Sequence, residues 1–186
     1  GSYFLDVFKT QEEVEKAKLY VEDIKKQMSD QIATDGVYRK LGKIHNWLIQ
    51  TVDYGEIENS KAQYTIYGAL AKNKAVCEGY ARAFKYLVDG TGIPCVLVSG
   101  TATNSRGEEQ QHAWNYVQIN ENWYAIDVTW DDPILLNGGE LTTELKYKYF
   151  LKGSEEFKVD HKQDGRISEK GKVFKFPTLS TQNYKP

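Results

Sequence analysis

The apolar residues of this 186-residue chain follow two different rhythms. Up to Asp89 they recur every three or four positions; beyond Pro94 the segments "CVLVSGTA", "HAWNYVQI" and "WYAIDVTW" are rich in β-branched and aromatic residues. A helix presents one face every 3.6 residues and a strand every second residue, so neither pattern can serve the other element. The chain is therefore expected to be α+β, with N-terminal helices packed on an antiparallel β-sheet.

The helices can be placed individually. Val14, Ala17, Val21, Ile24 and Met28 form one stripe over Gln11 to Met28, and Thr10 with Glu13 fits a capping box. A second helix after Asp35-Gly36 turns Val37, Leu41, Ile44, Leu48 and Val52 inward and breaks at Tyr54-Gly55. His45 lies on its flank as a surface or core-edge residue without chemistry. Residues 55–75 read as loop with a helical turn around Tyr64 to Ala71. A third helix begins at Cys77, buries Tyr80, Phe84, Leu87 and Val88, and ends near Asp89-Gly90. "NEN" separates the last two strands as a hairpin turn. After "DDP" the breaks "NGG", "KGSEE" and "HKQDG" leave only short segments.

Composition narrows the function. A formal charge of -2 supplies no electrostatic footprint for nucleic acid, and no apolar run is long enough to span a bilayer. Length favours one domain over residues 3–186, with Gly1-Ser2 read as a cloning scar. Two cysteines, Cys77 and Cys95, make no disulfide framework and are expected to be free. Asp131-Asp132 lacks the alternating oxygen ligands of a calcium loop, and no metal or cofactor is expected.

Three residues carry chemistry if they meet. A thiol reacts as thiolate, and a helix N-terminus favours that anion, which gives Cys77 a suitable location. An imidazole is also needed to pair with the thiolate and deliver a proton to the leaving group, and His112 is the candidate. Asp127, in the following strand, would hold the imidazole's orientation. Strand parity leaves open whether 112 and 127 share a face, because a bulge at Asn122 would reverse the outcome. Taken singly, each has a plainer role: a small buried thiol, a solvent-facing histidine, a loop-binding aspartate. Their order and placement together favour the catalytic one.

These residues lie in three blocks, "VCEGYARAF", "HAWNYV" and "WYAIDVTW", that resemble the transglutaminase-like superfamily. The resemblance runs over residues 37–132, with a weaker extension through "KYFL" and His161, which is assigned a local structural role. It implies a papain-like, transglutaminase-core fold with Cys77 as nucleophile, His112 as general base and acid, and Asp127 as the orienting carboxylate. The implied reaction is acyl transfer on a protein or peptide amide through a thioester, resolved by an amine or by water. A cysteine peptidase and a noncatalytic binding or adhesion module are the alternatives. The resemblance further suggests an aromatic oxyanion donor, for which Tyr54 is the candidate, because Ala71 stands where papain-type enzymes carry glutamine. Trp114 and Trp130 are candidates for a substrate groove. Family habit and the trimmed start suggest an extracellular or bacterial cell-surface setting.

Overall fold

A computed structural model describes residues 7–132, 142–167 and 173–186. The segment "NGG" and the first two residues lie outside them. Helix α1 (Gln11–Gln31) opens on the expected capping box: Thr10 accepts from the Glu13 N–H, and Glu13 accepts from the Thr10 N–H. Helix α2 (Val37–Thr51) buries Leu41, Ile44, Leu48 and Ile49. Val37 does not turn inward; it is exposed in the helix's first turn. His45 is fully buried rather than at the core's edge.

A two-residue strand β1 (Asp53–Tyr54) follows, then a 3-10 turn (Ala62–Tyr64) and the short helix α3 (Ile66–Ala71). Strand β2 (Lys74–Ala75) pairs in parallel with β1 and runs directly into α4 (Cys77–Asp89). Strands β3 (Cys95–Thr103), β4 (Glu109–Ile119) and β5 (Asn122–Ile126) are consecutive and antiparallel. Two single-turn helices, α5 (Thr143–Lys146) and α6 (Ser154–Phe157), flank β6 (Phe150–Lys152). Strand β7 (His161–Gln163) pairs with β3, completing a five-stranded sheet of order β6-β5-β4-β3-β7. Strands β8 (Arg166–Ile167) and β9 (Val173–Phe174) form a separate pair.

The sheet divides two apolar clusters. On one side, α2, α4 and the end of α1 pack over Cys95, Val117, Ile119 and Ile126. On the other, Val98, Trp114, Tyr116 and Ala125 meet Phe157, Tyr149 and Leu179. This alternation along β4 is the period-two pattern of a strand buried on both faces.

The β4–β5 turn settles the parity question. Asn120 and Glu121 both take positive φ, 49° and 68°, the signature of a tight two-residue hairpin, and Asn122 is already in register opposite Ile119. No bulge interrupts that ladder up to Asn115 opposite Ile126. Continued one step, the register sets 127 opposite Trp114, so Asp127, Trp114 and His112 share a face. The strand limits differ from expectation at both ends. β4 starts three residues before His112, and β5 stops at Ile126, leaving Asp127 in the turn beyond it.

Candidate active site

Cys77 is the first residue of α4, and no side chain caps that helix. Its first-turn N–H groups therefore receive no side-chain cap from Val76, and the half-buried thiol sits at the positive end of the helix dipole. Three contacts fix this helix start. The Val76 N–H donates to the Gln63 carbonyl at 3.1 Å. Gly79 lets that turn approach, since a methyl group there would collide with the same carbonyl. Asn115, on the helix-facing side of β4, donates to the carbonyl of Ala81 at 3.0 Å and thereby ties the second turn of α4 to the sheet.

His112 is buried, with its Nε2 2.7 Å from Asp127 Oδ2. That bond leaves Nδ1 for another partner. Burial is the largest influence on the ring and opposes its charged form. The charge and hydrogen bond of Asp127, together with hydrogen bonding and charge from Cys77, outweigh burial and raise the His112 pKa well above the ordinary range. The three residues singled out in the sequence thus share one neighbourhood.

Asp127 is almost fully enclosed, and burial alone would favour its protonated form. The charges and hydrogen bonds of two histidines overcome that and hold its pKa below the usual carboxylate range. Oδ2 receives His112 and also His161 Nε2, each at 2.7 Å, while Oδ1 accepts the Trp130 N–H at 3.1 Å. His161 was expected to have only a local role. It lies instead on β7, beside β3, and reaches the same carboxylate oxygen as His112. No sequence period connects positions 127 and 161; only the expectation that a buried carboxylate needs several donors could have prompted the search.

His112, Asp127 and His161 also form a cluster with the donor atoms of a metal site. Their contacts are those of a hydrogen-bonded set. Two ligands on one tetrahedral zinc, each about 2.0–2.1 Å from it, stand roughly 3.3 Å apart, whereas both histidines approach Asp127 Oδ2 at 2.7 Å.

Tyr54 is brought to the site by the β1–β2 pair, in which the Gly55 N–H donates to Ala75, two residues before the thiol. Its hydroxyl pKa is raised, first by burial and then by the charges of Cys77 and Glu56. Trp130 lies over His112 at a ring distance of 5.1 Å and is half-buried. Trp114 requires a correction: at 1% exposure it is core, packed edge-on to Phe157, and has no face to offer a groove. Asp131 and Asp132 serve the interior. Asp131 accepts from His45 at 2.9 Å and from the Tyr149 N–H, and Asp132 lies 2.8 Å from the Tyr80 hydroxyl. Cys95 is buried, and burial pushes its thiol pKa up, away from reactivity.

Residues 23–128, more than half of the chain, match the profile described as the Transglutaminase-like superfamily. The chain belongs to that superfamily. Among curated proteins it is similar to kyphoscoliosis peptidase of Mus musculus, 26% identical over 131 residues that cover 64% of this chain and 20% of the relative. The Homo sapiens protein of the same name is 23% identical over 176 residues, covering 87% and 25% respectively. The chain thus spans a fifth to a quarter of the length of those relatives. A solved structure described as a TGase aligns with a TM-score of 0.48 at 16% identity, covering 72% of this chain and 34% of that one. Membership of the superfamily accords with the α+β architecture of helices packed on a five-stranded antiparallel sheet. No helix among the described residues is long and apolar enough to cross a membrane.

Proposed function

We propose that this domain is a cysteine-dependent acyltransferase acting on protein or peptide amides. The observation that carries this reading is the convergence of an uncapped helix start bearing Cys77 with a buried imidazole, His112, whose far nitrogen is held 2.7 Å from the Asp127 carboxylate. A raised His112 pKa favours imidazolium beside thiolate, the reactive form of such a pair.

Cys77 Sγ attacks the amide carbonyl, and the oxygen takes up the negative charge. The Cys77 N–H and the Tyr54 hydroxyl stabilise that oxygen as it becomes an oxyanion. His112 delivers its proton to the departing nitrogen as the C–N bond breaks, leaving a thioester on Cys77 and a neutral ring. An incoming amine or water then gives its proton to His112 as it attacks the thioester, and the thiolate leaves. With a glutamine side chain as donor, an amine acceptor gives a cross-link and water gives deamidation.

Hydrolysis of a peptide bond is the second reading, favoured by the name peptidase carried by the curated relatives. A noncatalytic binding or adhesion module is the third. The deciding assay offers a glutamine-rich protein and a fluorescent amine. Amine incorporation that disappears in Cys77→Ala supports acyl transfer to amines; cleavage without incorporation assigns peptide hydrolysis; neither product, with an unreactive Cys77, assigns a binding module.

A further inference from the structure

His161 is the most unusual buried group among the described residues, because both of its ring nitrogens face carboxylates. Nε2 lies 2.7 Å from Asp127 Oδ2 and Nδ1 lies 2.7 Å from Asp160 Oδ1. An ionised carboxylate accepts hydrogen bonds and donates none. Two such partners are satisfied together only by a ring protonated on both nitrogens. Asp160 accepts again from the Tyr149 hydroxyl at 2.7 Å, which supports its ionised form. Its pKa is lowered: burial opposes this most, but hydrogen bonds from His161 and Tyr149 prevail.

The surroundings suit a cation. His161 stacks on Phe157 at 4.0 Å between ring centres and meets the rings of Trp130, Trp114 and Tyr149 at 4.8, 5.0 and 5.2 Å. Aromatic rings attract a cation that has lost its water, as this one has at 3% exposure. The titratable groups around it are Asp127 from the turn after β5, His112 from β4, Asp160 beside it, and Tyr149 and Lys148 from the segment before β6. Neighbouring β3 contributes Ala102, and α6 contributes Phe157.

We propose that His161 is a cationic positioning residue, held charged between Asp127 and Asp160, that sets the pH window in which Cys77 and His112 exist as a thiolate–imidazolium pair. This rests on the catalytic reading above and deepens it. The charge acts through Asp127. A carboxylate shared by two cations pulls less strongly on the His112 proton than one serving His112 alone. The same positive charge, 5.8 Å from the His112 ring centre, favours thiolate over thiol. Loss of the His161 charge therefore raises both the pH at which the thiolate forms and the pH at which His112 gives up its proton.

The test is the rate of iodoacetamide alkylation of Cys77 against pH, with Cys77→Ala as the blank. Wild type should give a profile with two rising limbs, the first as the thiolate forms beside imidazolium and the second as His112 gives up its proton and leaves a more nucleophilic thiolate. His161→Gln keeps a donor for Asp127 and removes the charge; both limbs should move up by about one pH unit, which lowers the rate roughly 10-fold on the acid side. A merely structural histidine would reduce the amount of reactive protein and leave the limbs in place, and that result overturns the proposal. The second measurement uses wild type with 15N-labelled histidine. Both His161 nitrogens should report as protonated at about pH 8, well above the ~6.5 of an unperturbed imidazole; a neutral ring there also overturns it. A wild-type Cys77 no faster than a free thiol would instead remove the catalytic reading beneath the proposal.

Discussion

Two buried histidine–aspartate contacts, made to different carboxylates, have nearly the same geometry. His112 meets Asp127 at 2.7 Å, and His45 meets Asp131 at 2.9 Å. Their difference lies in the remaining contacts. Asp127 collects two imidazoles and a backbone N–H, and its pKa falls despite burial. Asp131 has one imidazole and one backbone N–H; burial prevails, and its pKa is pushed up to about 6. His112 leaves Nδ1 available beside a thiol, whereas His45 Nδ1 is spent on Asn46 Oδ1 at 3.1 Å and its ring stacks on Tyr147. A histidine–aspartate pair alone is therefore no catalytic signature. The function of each follows from what its second ring nitrogen meets and from how many donors fix the carboxylate's charge.

Removing the carboxylate of the first pair should have the largest effect. Asp127→Asn leaves the ring near its place but presents an amide to it, and turnover should drop by about 10³–10⁴, the range seen when a triad loses this function. Steady-state rates on whichever amide substrate the incorporation assay selects would check it. Tyr54→Phe should come next, with turnover about 10²-fold lower if the hydroxyl supports the oxyanion. Iodoacetamide alkylation, which builds no oxyanion, should stay at the wild-type rate; a parallel loss of alkylation would instead place Tyr54 in activation of the thiol.

The second pair should respond only in stability. His45→Ala strands a buried carboxylate and should cost about 3 kcal/mol in denaturant unfolding, while folded protein alkylates at the wild-type rate. A large change in reactivity would erase the contrast between the pairs. The smallest effect separates them by the sign of their pH dependence. Asp127 has a depressed pKa, so its contribution is complete above about pH 4 and fades on acidification. Asp131 has a raised one: the folded state retains a proton that the unfolded state has released, and stability from this group falls as pH rises from about 4 to about 6. Compared with wild type, Asp131→Asn should therefore gain roughly 5 °C in Tm on passing from about pH 4 to about pH 6, whereas Asp127→Asn should differ in slope only below about pH 4, where acidification destabilises wild type more than the variant.

Local order was readable in the sequence wherever local physics determines it. The Thr10–Glu13 box, the helix beginning at Cys77 and the hairpin at "NEN" each depend on residues a few positions apart. Parity between 112 and 127 was undecidable because it turned on which residues adopt positive φ, and the structure gives those to Asn120 and Glu121. The contacts of His161 with Asp127, His45 with Asp131 and Asn115 with α4 join residues separated by 34, 86 and 34 positions. No local period encodes them. Trp114 lies in the core and not in a groove for a related reason: on a sheet covered on both faces, alternation does not show which face is open.

The proposed function depends on Cys77 being activated by His112. The most direct measurement compares iodoacetamide labelling of wild type and His112→Ala at about pH 6, where an ordinary thiol of pKa ≈ 8.5 is almost wholly protonated. Wild-type Cys77 should label far faster than a free thiol, and His112→Ala should lose at least about 100-fold of that rate. Equal, slow labelling of the two proteins would contradict the account.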